Sequence, residues 1–147
     1  MKHPQSLAAR LYQQFQTEKL KAIKDYACCA FVLMWCLGIE PDEDGDAVVL
    51  VSKLMESGAI DKDCTVRWAP AVEQLTGRKL QSVDFVTTNR IWDIKGRTPV
   101  KYEYNGRGHW VGVENGQVAF NPMEYSVCVA KGKPVQKRVL RIEGVEL

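Results

Sequence analysis

Histidine is nearly absent: the chain of 147 residues holds two, His3 and His109. His3 lies in a terminal stretch expected to fray, so chemistry that needs an imidazole falls on His109. The five cysteines, Cys28, Cys29, Cys36, Cys64 and Cys128, include no Cys-x-x-Cys pair, and adjacent or seven-apart cysteines on one helix are poor tetrahedral ligands, so no metal is expected. An odd count, with no apolar signal-like stretch in residues 1–10, points to reduced thiols and to the cytoplasm. The longest apolar run, residues 27–38, is too short to span a bilayer. Lys plus Arg number 20 against 18 Asp plus Glu, a net charge of +2, which is a weak footprint for nucleic-acid binding. The basic residues Lys131, Lys133, Lys137, Arg138 and Arg141 read as a solvated strand face. The acidic loop Glu40-Pro41-Asp42-Glu43-Asp44-Gly45-Asp46 does not fit a calcium site: Gly45 falls one place early, and Ser57 stands where a closing Glu belongs. It reads as a solvated loop whose last Asp caps the next helix.

What is present suits one compact domain over residues 1–147, since 46% of the chain is apolar and 26% charged. The first part, about 6–77, reads helical. Leu7, Leu11 and Phe15 mark an amphipathic helix from about Ser6, its cap, to Lys24. A second helix, Ala27 to Leu37, is apolar all round and must be buried, with Asp25 as its cap and Gly38 as its stop. Two more span Asp46 to Ser57 and Pro70 to Thr76. The remainder, about 79–143, changes to the period of strands: an extended segment from Leu80, the alternating Val100, Tyr102 and Tyr104, a hairpin from His109 to Asn121 about Asn115-Gly116, and strands at Tyr125–Ala130 and Val135–Ile142. Helices first and an antiparallel sheet second is an α+β pattern.

The most informative chemistry is a cysteine at the start of the buried helix. A helix N-terminus offers partial positive charge and unpaired amides, which favour a thiolate and hold an oxyanion formed when it attacks a carbonyl. His109 can supply the base and Asn121 can orient its imidazole. Two hairpin registers are open. A two-residue turn pairs Glu114 with Gln117 and sets His109 and Asn121 on opposite faces. A three-residue loop, Glu114-Asn115-Gly116, sets them directly opposite each other on one face.

The segment Asp25-Tyr26-Ala27-Cys28-Cys29-Ala30-Phe31-Val32-Leu33-Met34 resembles the nucleophile helix of papain-like cysteine peptidases of the double-glycine type. Ser57-Gly58-Ala59-Ile60, then Cys64-Thr65-Val66-Arg67-Trp68 and the helix to Gly77, are similar to that family's middle helices, and His109-Trp110-Val111-Gly112-Val113 with Asn121-Pro122 looks like its His strand and following Asp-Pro pair. The resemblance covers about residues 14 to 125. It implies a papain-like fold, with helices packed on the sheet, and Cys28 as nucleophile, preferred to Cys29 because Tyr26 stands two before it. It also implies His109 as base and Asn121 as orienting residue, with Tyr26 and Trp110 beside the substrate. Three positions depart from the family: Asn121 replaces the usual Asp, Ala27 the common Gly, and Ala22 stands where the oxyanion glutamine belongs, with Gln14 and Gln16 further upstream.

The resulting expectation is a thiol-dependent hydrolase of a peptide or amide bond working through Cys28, His109 and Asn121, with no cofactor. The alternative is a non-catalytic papain-like domain that binds a peptide or partner protein. A cell-wall amidase would share the chemistry with a different substrate.

Overall fold

The computed structural model describes residues 1–145. Among them are five helices in sequence, α1 (Pro4–Phe15), α2 (Glu18–Tyr26), α3 (Cys28–Cys36), α4 (Asp44–Ser57) and α5 (Trp68–Thr76). Strands β1 (Leu80–Thr87), β2 (Thr98–Tyr104), β3 (Arg107–Glu114) and β4 (Gln117–Phe120) follow, then a short helix α6 (Val127–Lys131) and β5 (Lys133–Ile142). The strands form one antiparallel sheet in the order β1-β5-β2-β3-β4. The architecture is α+β, as the change of period predicts. No helix is long and apolar enough to cross a membrane among the described residues.

The expected helix from Ser6 to Lys24 is two helices. Gln16 takes a left-handed conformation (φ 52°), and the Thr17 hydroxyl accepts the Leu20 amide at 3.2 Å, which starts α2. Pro4, whose fixed φ suits a first turn, begins α1 ahead of Ser6. Asp25 does not cap α3; α2 and α3 meet at Ala27, and Asp25 pairs with Lys24 at 2.6 Å. Asp46 is not a cap either. Helix α4 starts at Asp44, whose carboxylate accepts the amides of Lys2 and His3 at 2.7 and 3.2 Å. These bonds tie the terminus down, so His3 is half-buried rather than frayed.

A larger departure is at Tyr125–Ala130, expected as a strand and found as α6. Strand β4 lies at one edge of the sheet and β5 in its interior, so the segment joining them must cross over β3 and β2. A crossing segment has no strand to pair with, and a helix satisfies its own backbone instead. Val127, Cys128 and Val129 then cover Val100, Tyr102, Val111 and Val113 on that face.

The opposite face is covered by α3. Every residue from Ala30 to Cys36 is buried, as a helix apolar on all sides requires. Its C-terminal end is pinned closely. Trp35 stacks on Phe120 with ring centroids 5.9 Å apart and lies over Gly112, where a Cβ would come within 2.4 Å of the indole. Arg97 lies over the Trp35 ring, 4.4 Å from its centre, donates to the Trp35 carbonyl at 2.8 Å and pairs with Glu40 at 2.9 Å.

Overpacking at this contact forces the helix off the sheet. Gly112→Ala is expected to lower stability by about 1–3 kcal/mol, read as a lower urea midpoint; an unchanged midpoint contradicts the close approach.

Candidate active site

Three elements converge where β4 ends and leaves an edge of β3 open. Helix α3 delivers Cys28 in its first turn. The Cys28 Sγ accepts the backbone amide of Trp110, the residue after His109, at 3.5 Å. Cys28 is 8% exposed and His109 6%. Cys29 is half-buried and lines the same cleft as Cys28, but among the described residues it makes no hydrogen bond of this kind to the His109 strand.

The hairpin follows neither expected register throughout. Its turn is the two-residue form, with Glu114 opposite Gln117 and both Asn115 (φ 53°) and Gly116 (φ 75°) left-handed. The register then shifts: Val113 faces Val118, but Gly112 faces Phe120, so Ala119 is a bulge. The extra residue changes the alternation. Phe120 turns to the α3 face, and Asn121 falls on the same face as His109. The bulge thus achieves within the strand what the three-residue loop would have achieved at the turn.

His109 Nε2 lies 2.8 Å from Asn121 Oδ1, and that oxygen also accepts the Met123 amide at 3.1 Å. An amide N–H needs an acceptor, so the atom facing both groups is the carboxamide oxygen. The neutral imidazole must therefore carry its proton on Nε2, which leaves Nδ1 as the basic nitrogen. Asn121 is itself held from the start of α1. The Pro122 carbonyl accepts the Gln5 amide at 2.9 Å, Ser6 Oγ accepts the Glu124 amide at 2.9 Å, and His3 Nδ1 donates to the Asn121 carbonyl at 3.0 Å. The unpaired amides of a helix N-terminus here hold the turn that aims the Asn121 side chain.

The structure thus sets Cys28 against the amide of Trp110, one residue along the chain from the His109–Asn121 pair, and neither His109 nor Asn121 is among the residues lining the cleft in front of Cys28. The thiol's hydrogen bond is to the Trp110 amide, and among the described residues none joins Sγ to the imidazole. Burial raises the Cys28 pKa, opposed by the backbone amides of Trp110, Cys29 and Cys28. Burial lowers the His109 pKa, and the Asn121 bond works against it. Both shifts favour the neutral forms, a thiol and an uncharged imidazole, over an ion pair. Cys29 is raised much further by burial, and burial, the largest cause, pushes Cys64 up to about 12. Cys28 is set apart from them by the amides that face it.

A cleft of about 700 Å³ opens in front of Cys28. Tyr26 lines it and is 59% exposed; Trp110 lines it from the sheet. A tight turn, closed by the Asp61 amide donating to the Thr65 carbonyl, brings Cys64 to another wall in a left-handed conformation (φ 63°). Gln14 and Gln16 are exposed at the end of α1 and do not line the cleft. The oxyanion donors on offer are the first amides of α3. Among the described residues no three His, Cys, Asp or Glu side chains converge as metal ligands do.

Among the cleft residues that the sequence pattern did not point to are two cations, Lys101 and Arg138. Arg138 is not on a solvated face: its guanidinium lies 3.9 Å from the Phe85 ring centre and 4.8 Å from that of Trp110. The cross-strand pairing of Phe85 with Arg138 depends on the β1–β5 register, for which the sequence carries no short-range signal.

An unfolded imidazole takes its proton near 6.5, the buried one only at lower pH. Between those values the unfolded chain binds more protons, so this group lowers stability as pH falls through 6.5 and not above it. The His109 midpoint, read by NMR titration, is expected below 6.5, and lower still in Asn121→Ala; a midpoint unmoved by that substitution contradicts the Oδ1–Nε2 bond.

No protein-family model matches the chain, and neither a curated protein sequence nor a solved structure does.

Proposed function

We propose that the protein is a papain-like, thiol-dependent hydrolase of peptide or amide bonds. The observation that supports this reading is that Sγ of a helix-first cysteine, Cys28, accepts the amide of Trp110, the residue after an imidazole whose far nitrogen Asn121 fixes. His109 Nδ1 takes the Cys28 proton, and Sγ attacks the substrate carbonyl carbon. The amides at the start of α3 hold the oxyanion. As the tetrahedral adduct collapses the C–N bond breaks, and the amine leaves with the proton from His109. Water, deprotonated by His109, then attacks the thioester, releases the acid and returns the thiol. Because thiol and imidazole are both neutral at rest, the base must act as attack begins. Activity is therefore expected to be lost as pH falls through the depressed His109 pKa.

A second reading, a non-catalytic papain-like domain binding a peptide or partner protein, is favoured by the raised Cys28 pKa and by the absence of a glutamine from the cleft among the described residues. The two differ in thiol reactivity. With limiting iodoacetamide and each cysteine mapped by mass spectrometry, the hydrolase reading expects Cys28 to label ahead of Cys29, Cys36, Cys64 and Cys128. It expects His109→Ala to slow that labelling about a hundredfold or more, the lower range for a positioned base. Equal labelling of the cysteines, or no effect of His109→Ala, favours the binding domain.

A further inference from the structure

The reaction above gives no task to the two cations that line the cleft on its sheet side. The Arg138 guanidinium lies over the rings of both Phe85 and Trp110, and Phe85 is 65% exposed. It donates to the Lys137 carbonyl at 3.4 Å and to Gln136 Oε1 at 3.2 Å, and its buried Nε has no partner. None of the ion pairs among the described residues includes Arg138. Lys101 faces Trp110 across the β2–β3 pair, and its stem lies over Gly108, where a Cβ would come within 2.4 Å of Cε. Its one ion pair, to Glu103, is long at 3.5 Å and half open to solvent.

The acidic groups on the opposite rim are engaged already. Asp25 pairs with Lys24 at 2.6 Å, and Asp63 accepts the Thr65 amide at 3.1 Å. The cleft is therefore cationic on its sheet wall; across from it Lys24 offsets Asp25, while Asp63, held below the usual carboxylate range by its bonds to Thr65, stays ionised and exposed. The buried Nε is closed to a ligand, but the two terminal nitrogens make one bond each and keep a second hydrogen, and a planar donor with open hydrogens suits a carboxylate.

We propose that Arg138 and Lys101 bind a carboxylate of the substrate close to the scissile bond, so that the substrate is an acidic peptide or amide. This rests on the hydrolase reading for the scissile bond, but not for the binding itself. An Asp or Glu side chain and a free C-terminal carboxylate present the same chemistry.

The test is an NMR titration of ¹⁵N-labelled Cys28→Ala with three acetylated dipeptides. One is Ala-Glu amide, with only a side-chain carboxylate; one is Ala-Gln with a free C-terminus; one is Ala-Gln amide, with none. A carboxylate-bearing dipeptide is expected to bind at least about tenfold more tightly than the neutral one, as a charge-assisted bond implies, and to shift the Trp110 indole signal. Whichever of the two binds identifies the source. The advantage is expected to vanish in Arg138→Gln and to shrink in Lys101→Gln, the second variant standing in if the first fails to fold. Equal binding of all three, no binding of any at millimolar concentration, or an advantage that survives both substitutions overturns the proposal. If the carboxylate preference holds while His109-dependent labelling of Cys28 fails, the hydrolase reading falls and the carboxylate site stands; the converse overturns the carboxylate site alone.

Discussion

A helix with no polar side exists only where protein surrounds it, and α3 sets that condition for the rest of the chain. Its apolar residues from Ala30 to Cys36 need cover on every side, which the sheet, α1 and α4 supply. Burying each large side chain contributes about 1.5–3 kcal/mol, so the helix has one favourable position and few near it. Trp35, wedged between Arg97, Gly112 and Phe120, fixes the position along its axis. The consequence at the other end is that Cys28 meets the open edge of β3 at Trp110.

That edge is open because β4 is short. Pro122 has no N–H to continue a ladder, and the chain turns away after Phe120. The bulge at Ala119 and the turn at Pro122 together carry Asn121 round to His109, while the first amides of α1 grip the Pro122 carbonyl. Residues 3–6 thus help to aim a side chain more than a hundred positions away. The same turn commits the following segment to cross the sheet face, where it becomes α6 and closes the second core.

Periodicity made much of this legible. The buried α3, the helical first part and the Asn115-Gly116 turn all follow from local pattern, and the hairpin brought His109 and Asn121 into consideration together. Asn105-Gly106, the same turn signal between β2 and β3, was equally readable in the sequence. What local pattern could not carry is tertiary. The break at Gln16 lies inside an unbroken apolar stripe. The helix α6 is spelled with strand-forming residues and is decided by where β5 pairs. The Ala119 bulge has no glycine to announce it. Arg138 reads as one base among several until the β1–β5 register and the approach of Trp110 enclose it.

Cys28, His109 and Asn121 are supplied by separate elements, so whether they act as one unit is a question of coupling. A cycle of His109→Ala, Asn121→Ala and the double variant, scored by the rate of Cys28 alkylation, measures it. If Asn121 works only by orienting His109, Asn121→Ala slows the wild-type reaction and has no further effect once His109 is gone. Effects that simply add would mean that the two residues act independently, and the unit described here would not exist.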